Sequence, residues 1–471
     1  MATQSAATTP YPLQCEVVFP KSSQLPGEVL SRWSNSNIEL PAMVVRPQTE
    51  EDIVSAISLA KQQRLTLIPG NGGHGSFVPI TSKTLYLDMK KFNSIILDKE
   101  AGTVRIGGGA STGDVIKTVT DQGYYTLWTN SNAVGYVGSI LGGGNGVVNG
   151  LHGFMVDAVE SVQLITADGR KLDVSGSSDG EDKALFNALC GAGHGLGIIT
   201  SIVMKVFPLK SLNMVNDSIW VRKLIFPPTA IDAAVEAFMR LGQPEPALNV
   251  VMVFARAPPA APVPGAPMIV LTASYYGPPN KGERAAGALF DSEITGKALH
   301  AETVMVPMAT ANNAYDVMNV HGGYKDIYSC FVNSVSAGTI KTSFHRWVQV
   351  GEQHQDAKPT MAIWSQFNVQ KITEFGQSAE GRDKFLGVRG RGILTNLVAW
   401  SQTPETKAAV DRFRDEYMEL ARSDDSGPPR TFANNQHLGI DLEEVVPKEK
   451  IPELKRVKST WDADRLFWSP F

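Results

Sequence analysis

The sequence has few cysteines and no long apolar run. Cys15, Cys190 and Cys330 are its only cysteines in 471 residues, and their odd number and wide spacing fit neither a disulfide framework nor a zinc site. The longest candidate for a membrane span, APVPGAPMIVLTASYYG, is interrupted by proline and glycine. The N-terminal MATQSAATTPYPLQCEVVF has no basic start and no apolar segment of a secretion signal. We therefore expect an intracellular protein of the reducing cytoplasm.

Charged residues of either sign are also scarce. They make up 19% of the chain, and the formal net charge of −4 gives no reason to expect nucleic acid or an anionic membrane as a partner. The apolar fraction of 43% is that of an ordinary globular protein, and the length allows two or three domains. The expected partner is a small molecule.

Glycine-rich loops are the most informative feature present, although the common nucleotide motifs are missing. NGGHGSF, residues 71–77, contains no lysine and so is no P-loop, and no turn gives GxGxxG between a strand and a helix. Two further clusters follow, at residues 132–153 and 191–200. Because backbone N–H groups in such loops bind anions, the three clusters together favour a dinucleotide held across several loops.

Strand and helix patterns divide the chain into two parts. Up to about residue 209, short strands alternate with helices, and one helix begins at the N-cap Thr49 with Asp52 at the capping-box spacing. VESVQLITADGRKLDV predicts a hairpin. After residue 210, strand-like segments and amphipathic helices predict an α+β domain, an antiparallel sheet with helices on one face. RSDDSGPPR, residues 422–430, indicates the next boundary.

The ordered motifs resemble the berberine-bridge-enzyme-like oxidases, flavoenzymes of the vanillyl-alcohol-oxidase type. The family's GGH is Gly72–His74 here, its VGxxGxxxGGGxG is Val134–Gly146, and its LFxAL…GxxGI(I/V)T segment is Leu185–Thr200. A C-terminal segment rich in lysine and aromatic residues, IPELKRVKSTWDADRLFW, completes the set. The resemblance runs from about Pro41 to Phe207 and returns near the C-terminus.

The resemblance implies a two-domain PCMH-type FAD-binding fold with an inserted substrate domain. The FAD-binding domain would begin with residues 1–210, the substrate-binding domain would span 211–425, and the segment 426–471 would return to the FAD domain. The implied cofactor is FAD. In the family the GGH histidine is bonded to the 8α-methyl carbon of the flavin, so His74 is the expected attachment point; the alternative is a turn histidine bonded to backbone carbonyls.

The cofactor contacts follow from the same resemblance. Many relatives have a second link from a cysteine where this sequence has Ser131, so a single link is expected. The implied cofactor-binding residues are Gly70, Asn71, Gly72, Gly73, His74, Gly75, Ser76, Ser131, Gly135, Gly138, Ser139, Gly142, Gly143, Asn145, Gly146, Gly197 and Ile198.

The family reaction passes a hydride from a substrate C–H to flavin N5 while a base takes a proton, and O2 reoxidises the flavin. The tyrosine base of the family's NY pair is replaced by Asn434–Asn435 in FANNQHLGID, and an amide is no base at neutral pH. His437 is a candidate replacement, because strand-like geometry would place it on the same face as Asn435. Asn435 and His437 are therefore candidate catalytic residues.

A second group of candidates lies in NVHGGYKDIYSC. Lys325 would lower the phenol pKa of a neighbouring tyrosine, which makes Tyr324 and Tyr328 candidate catalytic residues together with His321. Alternatively, the tyrosines are ordinary sheet aromatics and Lys325 is solvated. Arg389 and Arg391 in GVRGRG are candidates for holding an anionic or phenolate substrate, with surface arginines as the alternative.

These observations predict an FAD-linked oxidase that acts on a small, mostly apolar organic molecule of natural-product biosynthesis. One alternative is an FAD-containing cyclase or isomerase without net redox change, and another is a ligand-binding protein without catalysis. No metal is expected, since His152 and His194 have no carboxylate or cysteine at ligand spacing.

Overall fold

Three sheets and a two-stranded ribbon organise the chain, which a computed structural model describes over residues 13–471. Residues 1–12, the beginning of the N-terminal stretch considered above for targeting, lie outside the described residues. The strands are β1 Glu16–Val18, β2 Met43–Arg46, β3 Thr66–Gly70, β4 Thr84–Asp88, β5 Ile95–Asp98, β6 Thr103–Gly107, β7 Tyr124–Tyr125, β8 Val159–Ile165, β9 Lys171–Ser175, β10 Ile198–Lys205, β11 Phe207–Pro208, β12 Ser218–Phe226, β13 Leu248–Arg256, β14 Pro267–Tyr275, β15 His300–Pro307, β16 Tyr324–Val332, β17 Met361–Gln366 and β18 Ile393–Ser401. The α-helices are α1 Pro26–Val29, α2 Glu50–Gln63, α3 Thr112–Thr120, α4 Tyr136–Leu141, α5 Asn149–His152, α6 Gly180–Ala192, α7 Ile231–Arg240, α8 Pro279–Ala285, α9 Ser292–Thr295, α10 Ala337–Gln353, α11 Gln370–Gln377, α12 Ala379–Asp383, α13 Pro404–Arg422, α14 Leu442–Val445 and α15 Ile451–Trp461.

The first sheet has the order β1-β2-β4-β3, with β4 parallel to both of its neighbours. Helix α2 connects β2 to β3, as a crossover between parallel-running strands requires. The predicted capping box is confirmed: the Thr49 hydroxyl accepts from the Asp52 N–H, and the Asp52 carboxylate accepts from the Thr49 N–H. The apolar face of α2, with Ile53 and Ile57, is buried against this sheet.

The second sheet is antiparallel, in the order β5-β6-β10-β8-β9. The predicted hairpin of β8 and β9 is confirmed, and Gly169 in its turn has φ 83°. The end of the chain returns to the first sheet: the Leu67 N–H on β3 donates to the Leu466 carbonyl at 2.9 Å, and Phe467 is buried beside it.

The third sheet has seven strands, in the order β15-β12-β14-β13-β17-β18-β16, and every pair is antiparallel. The predicted α+β arrangement is confirmed, because α7, α10 and α13 cover one face of this sheet. Along β13, β14 and β17, buried residues on that face alternate with half-buried residues on the other. The half-buried face includes Asn249, whose Nδ2 donates to the Val147 carbonyl of the first part at 3.5 Å.

The strand expected in FANNQHLGID is wrong. Ala433–Asn435 is one turn of 3₁₀ helix, closed by a hydrogen bond of 2.8 Å from the Asn435 N–H to the Phe432 carbonyl. The side chains of Asn434 and Asn435 donate to Ser139 and Asn396, so contacts with distant parts of the chain hold this turn. In the part of the chain that the structure describes, no helix combines the length and apolar character needed to cross a membrane.

Candidate active site

The loop that carries His74 begins at the end of β3 and is closely packed on both sides. A Cβ at Gly73, where φ is 70°, would overlap the Ser31 carbonyl oxygen. A Cβ at Gly72 would overlap the Ala133 carbonyl oxygen in the second glycine cluster. Only glycine fits at both positions, so the sequence of this loop is dictated by close backbone approach.

The imidazole of His74 stacks on Trp33, with 5.3 Å between ring centroids and 15° between planes. Its Nε2 is buried and has no hydrogen-bond partner among residues 13–471. Burial lowers the pKa of His74 to about 3, and the nearby cationic groups His321, Lys325 and Arg32 lower it further. The ring is therefore neutral at physiological pH, and its Nε2 is not bonded to a carbonyl as the turn-histidine alternative would suggest.

Three loops are joined beside His74. The side chain of Asn71 donates to the Ala110 carbonyl at 2.9 Å. The Thr112 N–H donates to the Val134 carbonyl at 2.9 Å, and Ser111 forms a bridge with Gly135. These bonds connect the GGH loop to the second glycine cluster through the turn that precedes α3.

The second glycine cluster contacts the C-terminal segment. The Asn434 side chain donates to the Ser139 carbonyl at 2.6 Å, and a Cβ at Gly142 would overlap the Asn434 Oδ1. A Cβ at Gly138 would meet nothing within 4 Å, which leaves space on that side of α4. Sequence reasoning considered Asn434 only as half of the altered NY pair and missed its contact with the expected cofactor loop.

The other expected cofactor residues have varied surroundings. Ser131 donates to the Asn319 Oδ1 at 2.9 Å, across to the second part of the chain. The Asn145 Oδ1 accepts from Asn149 at 2.6 Å, and the Gly146 N–H donates to the same Asn149 side chain at 2.9 Å. Gly143, at φ 106°, is packed against Leu386 of the second part of the chain. A further group is packed within the first part: Gly70 against Tyr86, Gly75 near Val78, Gly197 against Leu164, and Ser76 and Ile198 in buried positions.

These residues fit a flavin nucleotide. Glycine backbones that approach each other closely suit a pyrophosphate, and the neutral imidazole of His74 has a nitrogen without a hydrogen-bond partner. His74, Gly138 and Ser139 are the residues here that would hold it.

Three catalytic candidates meet beside α13. Tyr328, Asn435 and His437 line one cavity of about 530 Å³, and the rings of Tyr328 and His437 lie 6.0 Å apart. Arg414 donates to the Tyr328 hydroxyl at 3.2 Å. The pKa expectation is wrong for Tyr328: burial raises its phenol pKa, and the cation beside it is Arg414 rather than Lys325.

Lys325 lies on the face of β16 opposite to that of Tyr328, because side chains alternate along a strand. It is fully buried, so the expectation of a solvated lysine is also wrong. Its Nζ lies 4.7 Å from the centre of the Trp33 ring and 4.4 Å from that of Trp400, and it donates to the Val320 carbonyl. Tyr324, one residue earlier, is half-buried on the face of Tyr328.

The two arginines considered for substrate binding are bound within the protein. Arg389 forms a two-bond ion pair with buried Asp157, and Arg391 pairs with Asp425 at 3.1 Å while donating to the Phe331 carbonyl. Both arginines are therefore engaged by partners within the protein, so neither the expected substrate contact nor the alternative of a surface arginine describes them.

The two loop histidines also have contacts of their own. His152 stacks on Phe207 at 3.8 Å, and His194 meets Phe77 edge-on at 5.7 Å. Within residues 13–471, no three histidine, cysteine or acidic side chains are grouped as metal ligands would be.

Comparison with known proteins bears on this site. The FAD-binding domain family matches residues 41–175. FAD-linked oxidoreductase OXR1 of Pyricularia oryzae is 24% identical over 454 residues, 93% of this chain and 85% of that protein. The chain is an FAD-linked oxidoreductase with the berberine-bridge-enzyme-like fold. FAD is its cofactor, as the homologues' names and the domain match support, and a cyclase without net redox change is not favoured.

Solved structures show the same fold. The BBE-like 1 protein of Physcomitrella patens superposes with a TM-score of 0.80 at 17% identity, over 97% of this chain and 96% of that one. GilR, an oxidoreductase of the terminal step of gilvocarcin biosynthesis solved with pregilvocarcin, gives a TM-score of 0.76 at 17% identity, over 97% and 99%. The α+β fold of the PCMH type that was expected from the motifs is thus confirmed.

Proposed function

We propose that this FAD-linked oxidoreductase is an oxidase with one covalent flavin link, through His74, and that it oxidises a small, mostly apolar organic substrate of natural-product biosynthesis. The observation that carries this proposal is the environment of His74. Its ring is neutral, stacked on Trp33 and, in the described part of the chain, free of a hydrogen bond at Nε2. Bound FAD would accept a hydride from the substrate at N5 and pass the electrons to O2.

The substrate class is inferred from the half-buried face of the sheet. Pairing brings Val253 of β13 opposite both Val270 of β14 and Ile363 of β17, and Ile363 opposite Asn396 of β18. This row is mostly apolar and ends in one amide, a pattern typical of pockets for organic ligands with few polar groups. GilR, with the same fold, catalyses the terminal step of gilvocarcin biosynthesis.

One residue of the C-terminal segment contacts this row directly. The Asn435 Nδ2 donates to the Asn396 Oδ1 at 2.9 Å, which connects the C-terminal segment to the sheet. We propose that Asn435 orients the substrate by hydrogen bonding and that His437, exposed at the cavity beside α13 that Asn435 also lines, takes the proton. The raised phenol pKa of Tyr328 makes that residue a hydrogen-bond donor rather than a base, and Tyr324 lies further along its strand face.

The domains proposed for this function are residues 1–210 with 426–471 for FAD, and 211–425 for the substrate. The contact of Asn434 with Ser139 supports the return of the C-terminal segment to the cofactor loops.

Oxygen uptake tests the function. Purified protein is supplied with a panel of phenolic polyketides, terpenoids and alkaloids, and with glucose and oligosaccharides in parallel. The proposal predicts O2 consumption and H2O2 formation equal to product with a member of the apolar panel. Product without O2 consumption would indicate the cyclase, and rapid turnover of the sugars alone would refute the substrate class. Colourless protein without flavin would indicate the ligand-binding alternative.

A further inference from the structure

A buried lysine that the reaction does not use lies next to the expected attachment histidine. Lys325 is fully buried on the strand β16, with an indole ring of Trp33 and one of Trp400 around its ammonium group. Burying a charge is unfavourable unless its surroundings compensate for it, so such a lysine needs an explanation. Two aromatic faces and the Val320 carbonyl supply that compensation.

Trp33 connects this lysine to His74. The backbone N–H of Trp33 donates to the Gly73 carbonyl at 3.2 Å, and the indole ring stacks on the His74 imidazole. Its Nε1 donates to the Met318 carbonyl at 2.9 Å, and its own carbonyl accepts from the Gly322 N–H at 3.2 Å. One tryptophan is thus fixed by the GGH loop on one side and by residues 318–325 of the second part on the other.

We propose that Trp33 and Lys325 are positioning residues that hold the His74 imidazole in place for bonding to the flavin, and that residues 318–325 hold Trp33 in turn. This inference rests on the proposed attachment through His74. It adds that residues after 210 take part in attaching the flavin to the first part of the chain.

Formation of the bond between His74 and the flavin would be a two-electron oxidation. A nitrogen of the His74 imidazole joins the 8α-methyl carbon, while one C–H bond of that methyl and the imidazole N–H break. Two protons are released, and two electrons pass to dioxygen, which leaves as hydrogen peroxide with those protons. The chain's part in this step is to present a neutral imidazole at the correct distance and angle, and a misplacement of about 1 Å slows such steps roughly a hundredfold.

The charges around the imidazole favour its neutral form. His321, Lys325 and Arg32 are the cationic or titratable groups that act on His74, and all three lower its pKa. Burial lowers the pKa of Lys325 itself to about 8. Above that pH the ammonium loses its proton, and its attraction to the Trp33 ring is lost.

The test measures how fast the bond forms. Full-length protein is produced in a riboflavin-starved host and mixed with FAD; bound flavin is counted after gel filtration, and acid-precipitable flavin is counted over time. Trp33→Ala should bind FAD but attach it about a hundredfold more slowly, whereas Trp33→Phe, which retains the stack, should attach it at close to the wild-type rate. A structural defect alone would lower bound and attached flavin together.

The lysine is tested by its pH profile. Wild-type attachment should slow as the pH rises from 7 to 9, while Lys325→Arg, which stays charged, should give a flat profile and Lys325→Met should be slow throughout. Wild-type rates in Trp33→Ala, or identical profiles for wild type and Lys325→Arg, would overturn the positioning role. If Trp33→Ala does not fold, the two lysine variants decide. Wild-type protein that never attaches flavin would instead refute the His74 link itself.

Discussion

Arg389→Met should destabilise the protein far more than the loss of an ordinary ion pair. Arg389 Nη2 lies 2.5 Å from the Asp157 Oδ1 and Nη1 lies 2.9 Å from Oδ2. The Asp157 side chain has no exposed surface, and that of Arg389 is 13% exposed. Methionine fills most of the volume of the arginine but leaves the carboxylate buried without its cation. Breaking a buried pair in this way lowers the free energy of unfolding by about 3–5 kcal/mol.

The matched control is Arg346→Met, which removes an arginine from an exposed pair with Glu416. Those two side chains are 47% and 53% exposed, so the loss should be below about 1 kcal/mol. Scanning calorimetry of both variants, with flavin content measured in parallel, gives the comparison. Arg389→Met with Asp157→Asn should recover part of the stability, because the buried charge is removed. Equal destabilisation by Arg389→Met and Arg346→Met would refute the reasoning.

Three further perturbations test other parts of the account. Gly73→Ala should abolish flavin binding, because the new Cβ overlaps a backbone carbonyl. Its control is Gly102→Ala, which has a similar positive φ with open space around it and should lower the free energy of unfolding by only about 1–2 kcal/mol in calorimetry. Burial lowers the pKa of His152 to about 4, so between pH 6.5 and 4 the unfolded chain binds a proton at this residue and the folded chain does not, and stability falls on acidification. His152→Phe, still stacked on Phe207, should show a shallower fall in melting temperature with decreasing pH. An unchanged slope would contradict this. His437→Gln should lower kcat about 10²–10⁴-fold with normal flavin content, and full activity in oxygen-uptake assays would remove His437 as the base.

Much of the cofactor half of the molecule could be predicted from the sequence. Its features are local patterns, each set by residues close in sequence: the glycine clusters, the capping box at Thr49 and the hairpin at Gly169. The close contacts at Gly72 and Gly73 agree with the same reasoning, since glycines in a loop of fixed order imply backbone approach.

The surroundings of the candidate catalytic residues could not be predicted in the same way. Trp33 and Lys325 are far apart in sequence, and no local pattern indicates that an indole would stack on His74. The expected group of Tyr328 and Lys325 failed because adjacent odd and even positions of β16 face opposite sides of the sheet. Arg389 in GVRGRG resembles a surface residue until its partner Asp157 is known.

The most direct test of the central claim is acid precipitation of the yellow protein. Wild-type protein and His74→Ala are purified, their visible spectra are recorded, and flavin is measured in pellet and supernatant. Wild-type flavin should appear in the pellet, on a single proteolytic peptide that contains His74, and flavin of His74→Ala should appear only in the supernatant. Wild-type flavin released into the supernatant would contradict a covalent link through His74.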